Sequence, residues 1–234
     1  AELEQVNAEL DSFAYSVSHD LKSPLRAIDG FTQLLKDQLQ DRASADERAM
    51  MERVLAATHR MSDLIADMLS LARISQGMLE MVEVDLSDLV QDIRRRTQTR
   101  MPERAIEWRI QPDLLCRCDA SLARIALDNL LSNALKYTRD QPHPLIEFGQ
   151  MPGTSGGPGE YFVRDNGVGF DMRHADKLFK PFQRLHMPSE GFEGSGIGLA
   201  TVHRIVERHA GRIRADSRVG EGTSLYFSFE ANQP

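Results

Sequence analysis

Five short runs carry residues whose types and spacing could do chemistry, and the first is HDLKSP at 19–24. Around it Val17, Leu21, Leu25 and Ile28 recur at the spacing of a buried helical stripe. A helix turns ~100° per residue, so His19 lies about 200° from both Val17 and Leu21 and points outward. Ser23 and Arg26 follow at one and two turns on the same face. Pro24 removes an amide donor inside an otherwise helical pattern and is expected to kink the helix close to His19. An outward imidazole with the Asp20 carboxylate beside it is the setting of a chemically used histidine. Taken alone, a solvated surface histidine gives the same pattern.

The other runs lie downstream. A helix expected at 121–137 carries Asn129 and Asn133 one turn apart on one face, with Lys136 and Tyr137 following. Carboxamide oxygens are hard ligands that suit Mg²⁺, and the lysine ammonium can face a phosphate as a point charge. Two asparagines on a solvated helix face account for the pair equally well. DNGVGF, 165–170, follows the strand-like EYFVR. Gly167 and Gly169 let the backbone bend tightly and approach a flat ligand, and Asp165 at a strand end can accept from an exocyclic amine such as adenine's. A plain turn also reads DNG. GSGIGL, 194–199, opens a helix expected at 197–210, and glycine-rich loops feeding a helix N-terminus present amides to phosphates. Between these lies FKPF, whose Phe179 and Phe182 are expected largely to anchor the loop to the core.

These residues need elements to position them. Residues 1 to about 40 read as one long helix, with a heptad-like seam of Leu3, Val6, Leu10, Phe13 and Val17. The stripe then shifts phase through Leu21, Leu25, Ile28, Leu35 and Leu39, as where a coiled coil merges into a wider bundle. After the polar turn DRASADER, a second helix is expected from about Asp46 to Gln76. Its seam is Met51, Val54, Thr58, Met61, Ile65, Met68 and Ala72. Two such helices cannot bury their stripes against each other alone, whereas a homodimer forming a four-helix bundle can. Beyond Gly77 helices alternate with short strands. Helices are expected at 87–100, 121–137 and 197–210. Strands are expected at 105–110, 114–118, 145–149, 160–164, 212–216 and 223–229, with a loose loop at 153–160. This interleaving predicts a two-layer α/β sandwich. The stretch from Asp171 to Gly194 shows few regular signals and has the length of a functional lid.

Composition narrows the function classes. The 234 residues carry a formal net charge of −7, which argues against nucleic acid as a partner. No apolar run approaches ~18 residues, so no membrane span is expected within the chain. There is no visible signal peptide, and the lack of an initiator Met leads us to expect a fragment of a longer protein. Cys116 and Cys118 alternate on one face of a short strand and are expected as buried small hydrophobes.

In order and spacing, HDLKSP, NLLSNALKY, DNGVGF, FKPF and GSGIGL resemble the H, N, G1, F and G2 boxes of the sensor histidine kinases. The resemblance spans about residues 7 to 230. It implies an all-α helical hairpin, dimerising as a four-helix bundle, over 1–77, then a hinge at 78–84. Over 85–234 it implies an α/β two-layer sandwich of the Bergerat ATP-binding type. His19 is then the phosphoacceptor and Asp20 the base that orients it. Asn133 becomes the principal Mg²⁺ ligand, with Asn129 supporting the metal and phosphate site. Lys136 becomes a phosphate contact and Tyr137 a pocket wall. Asp165 becomes the adenine reader. Gly167, Gly169, Gly194, Ser195, Gly196, Gly198 and Leu199 fall in the nucleotide loops, with a lid near 171–196. Ser23 stands where the family often has Thr or Asn assisting dephosphorylation of the partner.

The function implied is ATP-dependent autophosphorylation of His19, then transfer to an aspartate of a response regulator receiver domain. The cofactors implied are ATP and Mg²⁺. The partners are a second copy, the receiver and an upstream sensor domain in the parent protein. The location is cytoplasmic, with membrane attachment of the parent left open. The rival readings are a same-fold ATPase and a dimeric scaffold without kinase activity.

Overall fold

The computed structural model describes residues 2–39, 42–74, 77–151, 159–183, 185, 192 and 194–229; the side chains of residues 2–20, 72 and 73 lie outside that description. The chain divides into two compact units, 1–76 and 77–234.

The first unit is a helical hairpin of α1 (Glu2–Leu39) and α2 (Ala45–Ile74). α1 runs unbroken through Pro24. A capping box starts α2: the Ser44 N–H donates to Glu47 Oε2 (2.8 Å) and the Glu47 N–H to Ser44 Oγ (3.3 Å). The helices run antiparallel, with His59 on Asp29 (2.9 Å) and Lys36 on Glu52 (3.4 Å). Leu25, Ile65 and Leu69 form the buried centre. The expected stripe is only partly covered within one chain. Of the seam on α2, Thr58 and Ile65 are buried, whereas Val54, Met61 and Met68 are exposed. On α1, Leu21, Ile28 and Leu35 are exposed along with Phe31 and Leu34. The Ala72 side chain lies outside the described residues.

The second unit runs β1 (Met81–Asp85), α3 (Leu86–Arg100), β2 (Glu107–Ile110), β3 (Leu115–Asp119), α4 (Ala120–Tyr137), β4 (Leu145–Met151), β5 (Glu160–Asp165), α5 (Gly198–Arg208), β6 (Ile213–Arg218) and β7 (Gly222–Phe227). β1 and β3 pair antiparallel, and the main sheet has the order β2-β4-β5-β7-β6. β2 and β4 pair parallel, and the other neighbouring strands among the described residues pair antiparallel. Alternation sends Ile146, Phe148, Tyr161, Val163, Leu225 and Phe227 into the core, where Leu86, Val90, Leu127, Leu130, Leu131, Val202 and Ile205 meet them from α3, α4 and α5. This is the expected two-layer α/β sandwich. Cys116 and Cys118 are buried and free, on one face of β3 as alternation predicts.

Three regions differ in detail from expectation. The expected hinge at 78–84 is largely structured, because Met81–Asp85 is a strand in register with β3 (Val82 opposite Cys118, Val84 opposite Cys116). α5 ends at Arg208 rather than 210, since Ala210 adopts φ 53° and the Gly211 N–H turns back to Val206 O (2.9 Å). The lid contains a 3₁₀ turn, Met172–Lys177, capped by Asp171. The loop at 152–158 lies outside the described residues.

Candidate nucleotide site

α4 begins at Asp119, whose carboxylate accepts from the Ser121 and Leu122 amides. Leu127, Leu130, Leu131 and Ala134 are buried on one side of the helix, which leaves Asn129, Asn133, Lys136 and Tyr137 half-buried on another. At its far end, the Arg104 guanidinium donates to Leu135 O (2.8 Å) and Thr138 Oγ1 (2.9 Å). Such a grip on a helix C-terminus satisfies open carbonyls and complements the dipole.

β5 ends on its core side with Asp165, only 8% exposed. Burial pushes its carboxyl up to about 6, against amide bonds from Gly167 and Thr223 that pull it down. The following turn is tied on three sides. Asn166 Oδ1 accepts from the Leu145 amide (2.9 Å), and its Nδ2 donates to His143 O (2.8 Å). The Val168 amide donates to Tyr137 O (3.2 Å), which binds this turn to α4. Gly167 lies close under Asp165 and Tyr137. Gly169 adopts φ 60° with Arg218 O where a Cβ would stand, so no other residue fits. The Phe170 amide donates to Ser217 Oγ (2.9 Å), which itself donates to Gly222 O (2.8 Å), so the β6–β7 hairpin holds the other side.

α5 completes the group. A Cβ at Gly198, its first residue, would lie 2.7 Å from Asn129 Oδ1, so glycine lets the helix start meet the asparagine. Asn129 Nδ2 is committed to Ile125 O (2.8 Å), which turns its oxygen toward α5. The helix N-terminus has no side-chain cap, Ser195 Oγ accepts from the Ile197 amide (3.2 Å), and Leu199 is half-buried in the first turn. Gly194 passes next to Lys136 Nζ, and the Gly196 carbonyl accepts from the Phe182 amide (3.0 Å). Lys136 Nζ lies 4.6 Å from the centre of the Tyr137 ring, and Phe192 packs on that ring at 5.2 Å. The Phe182 ring is exposed, contrary to expectation, and its backbone amide makes the tie to Gly196, whereas the Phe179 ring lies 5.6 Å from His203.

The structure thus brings together residues expected from four of the five runs. From the fifth, Ser23 is exposed on α1. His19 and Asp20 lie in α1, their side chains outside the described residues. Sequence reasoning missed Asn166, Phe192, Ser217 and Thr223. Phe192 had a signal, as the aromatic residue beside the glycine run. The others act through pairings that local sequence does not reveal.

A buried acceptor at a strand end, carboxamides and an ammonium on one helix face, and open amides at a second helix start suit a purine nucleotide and its phosphates. Residues 118–233 match the family described as histidine kinase-, DNA gyrase B- and HSP90-like ATPase. Residues 9–77 match the His Kinase A (phospho-acceptor) domain. The chain belongs to the sensor histidine kinase family. It is 36% identical over 230 residues to cyanobacterial phytochrome B of Nostoc sp., covering 98% of this chain and 30% of that one. To the methanogenesis regulatory histidine kinase FilI of Methanothrix harundinacea it is 38% identical over 232 residues, covering 97% of this chain and 25% of that one. The chain thus spans less than a third of either relative. Full-length ShkA, solved with AMPPNP, is similar in fold at TM-score 0.65 and 24% identity, covering 92% of this chain and 45% of that one. No helix among the described residues of this histidine kinase core is long and apolar enough to cross a membrane.

Proposed function

We propose that this core binds Mg²⁺-ATP in the α/β unit, phosphorylates its own His19, and passes the phosphoryl group to an aspartate of a response regulator receiver domain. The observation that carries the proposal is the convergence of the α4 face, the Asp165 turn and the start of α5 in the same chain as HDLKSP on α1. Asp165 accepts the adenine amine. Lys136 and the amides from Gly194 to Gly198 draw the phosphates, and Tyr137 with Phe192 walls the pocket. An ordinary imidazole is largely unprotonated near neutral pH. Asp20 holds one nitrogen of His19 so that the other attacks the γ-phosphorus. The N–P bond forms, the bond to the ADP oxygen breaks, and the imidazole proton leaves to Asp20. Positioning and electrostatics supply most of such catalysis.

The residues fit Mg²⁺ carried on a nucleotide. Asn129 and Asn133 offer hard carboxamide oxygens, and among the described residues no cluster of three carboxylate, histidine or cysteine ligands forms a cage. Mg²⁺ commonly takes few protein ligands and completes its shell with phosphates and water. When bound it offsets phosphate charge.

The hairpin supports a homodimer. Val54, Met61 and Met68 recur every seven residues and stay exposed in one chain, the pattern of a seam met by a second copy. Ser23 keeps a hydroxyl near His19 and supports phosphatase activity toward the receiver. An upstream sensor domain would act through α1, and a cytoplasmic location follows from the need for ATP and a receiver.

Incubation with Mg-ATP radiolabelled at the γ-phosphate tests the proposal. The parent chain is expected to carry label that survives alkali and is lost in acid, and His19→Gln and Asn133→Ala none. A parent that binds nucleotide without labelling favours an ATPase or scaffold, and label persisting in His19→Gln reassigns the phosphoacceptor.

A further inference from the structure

The connector leaving the helical unit enters the α/β unit at Gly77, and two contacts hold its first residues. Arg208, in the last turn of α5, donates from Nη2 to Gly77 O (2.5 Å). The Glu80 amide donates to Asp119 Oδ2 (3.1 Å). The other oxygen of that carboxylate, Oδ1, caps α4 through Ser121 and Leu122 (3.0 and 3.1 Å). The Asp119 amide donates to His209 Nε2 (3.0 Å), while Nδ1 of that ring lies 2.8 Å from Ile205 O. The Asp119 bond therefore requires a neutral imidazole protonated on Nδ1. His209 is 1% exposed and packs on Phe229 at 4.6 Å. One joint thus gathers the connector, the start of α4 and the end of α5.

The same two helices meet again at the other end of α5, where Gly198 opens that helix against Asn129 near the middle of α4. α5 has 11 residues, so about 16 Å of helix separates the connector joint from the glycine loop. Side-chain bonds cap the start of α4, whereas the start of α5 has no side-chain cap. A group that orders the open end of α5 therefore acts on a rod whose far end grips Gly77.

We propose that Arg208, Asp119 and His209 are positioning residues that latch the connector at 77–80 to the ends of the two nucleotide helices, coupling nucleotide occupancy to connector attachment. This rests on the nucleotide reading of the site and extends it. Phosphates gathered at Gly194–Gly198 tighten the pairing of α5 with α4 and so the joint at Asp119. By linkage, a factor by which nucleotide strengthens the joint is the factor by which the joint strengthens nucleotide binding.

The test uses the full chain. Amide hydrogen exchange at Glu80 is measured with and without Mg²⁺ and the non-hydrolysable analogue AMPPNP, and analogue affinity is measured in the parent, Arg208→Ala, Arg208→Lys and Glu80→Pro. The analogue is expected to slow Glu80 exchange by about 5-fold. Arg208→Ala and Glu80→Pro are expected to weaken analogue binding by a similar factor, with Arg208→Lys restoring it. A merely structural Arg208 would lower the melting temperature without changing the nucleotide dependence of exchange. Exchange at Glu80 indifferent to the analogue, or affinities equal in all four proteins, overturns the latch. A chain that binds the analogue but never labels His19 defeats the kinase proposal while leaving this measurement intact.

Discussion

The two units solve the burial problem differently. The α/β unit closes its own core: Phe148, Phe227, Leu127, Leu130 and Ile205 are each buried within one chain. The hairpin does not, since Phe31, Leu34, Leu35 and Met61 remain about half-exposed or more. A helix with apolar residues on two faces needs two partners, and one chain provides only one. The chemistry is divided along the same line. The nucleotide residues are built from long-range bonds inside a complete fold, whereas His19 sits on a helix whose outer apolar face stays uncovered in one chain, where the proposed second copy would pack. Nucleotide binding should thus survive conditions that abolish phosphoryl transfer.

The largest expected effect comes from charging the uncovered seam. Replacing Val54, Met61 and Met68 together by Glu places carboxylates where a second copy would bury them, at about several kcal/mol each. Sedimentation should show monomers, labelling of His19 should fall to background, and analogue affinity should stay at the parent value. A dimer that persists, or nucleotide binding lost along with it, would erase the proposed division between the units.

Asn133→Ala probes the division from the other side. Removing one hard oxygen from the α4 face should weaken Mg-nucleotide binding by at least about 10-fold, on the scale of a lost charge-assisted contact. The mass measured by sedimentation should not change. A shift in oligomeric state on this substitution would mean that the α4 face also packs against something in the dimer.

Much of this contrast could be read in the chain. Heptad spacing at 51–72 and strand alternation in LCRCD are local patterns, and the elements they predict form within a few residues of the expected bounds. Long-range pairings were not legible. MVEVD has strand character, yet only its register with β3, thirty or more residues away, turns it from connector into strand. Asn166 reads as a turn residue, but its work is to hold His143 and Leu145. Phe182 looks like an anchor by type. It has a positive φ of 63° and an exposed ring, and its amide donates to Gly196 O. Four of the five motif runs converge because the sheet order brings the end of β5 beside α4 and the β6–β7 hairpin, a fact of topology rather than of spacing.

Asp165 sharpens the comparison through stability. The folded pKa of about 6 lies above the ordinary 3.8 because burial disfavours the carboxylate. With the folded value raised, the contribution is fully present below about pH 4 and is lost as pH rises through 6. Above pH 7 the buried charge costs up to ~3 kcal/mol in the nucleotide-free protein. Asp165→Asn keeps a carbonyl for the Gly167 amide and does not titrate. It should raise the unfolding free energy of the α/β unit at pH 8, lose that advantage toward pH 4, and bind ATP more weakly. Denaturant melts at the two pH values, with analogue titration, check all three. A variant less stable at pH 8 would mean that the bonds from Gly167 and Thr223 outweigh the desolvation.

The smallest effect is expected at the capping box of α2. Ser44 and Glu47 share three hydrogen bonds at the helix start, and the Ser44 amide and hydroxyl hold the Glu47 carboxyl below its usual range. Ser44→Ala removes the hydroxyl partner of the Glu47 amide and should cost the hairpin about 1 kcal/mol. Because the hairpin is expected to be stable only as a dimer, the loss should appear as a melting transition that moves with protein concentration. The transition of the α/β unit and its analogue affinity should not move. If both transitions fall together, the units unfold as one cooperative body, and the self-sufficiency assigned to the α/β core is wrong.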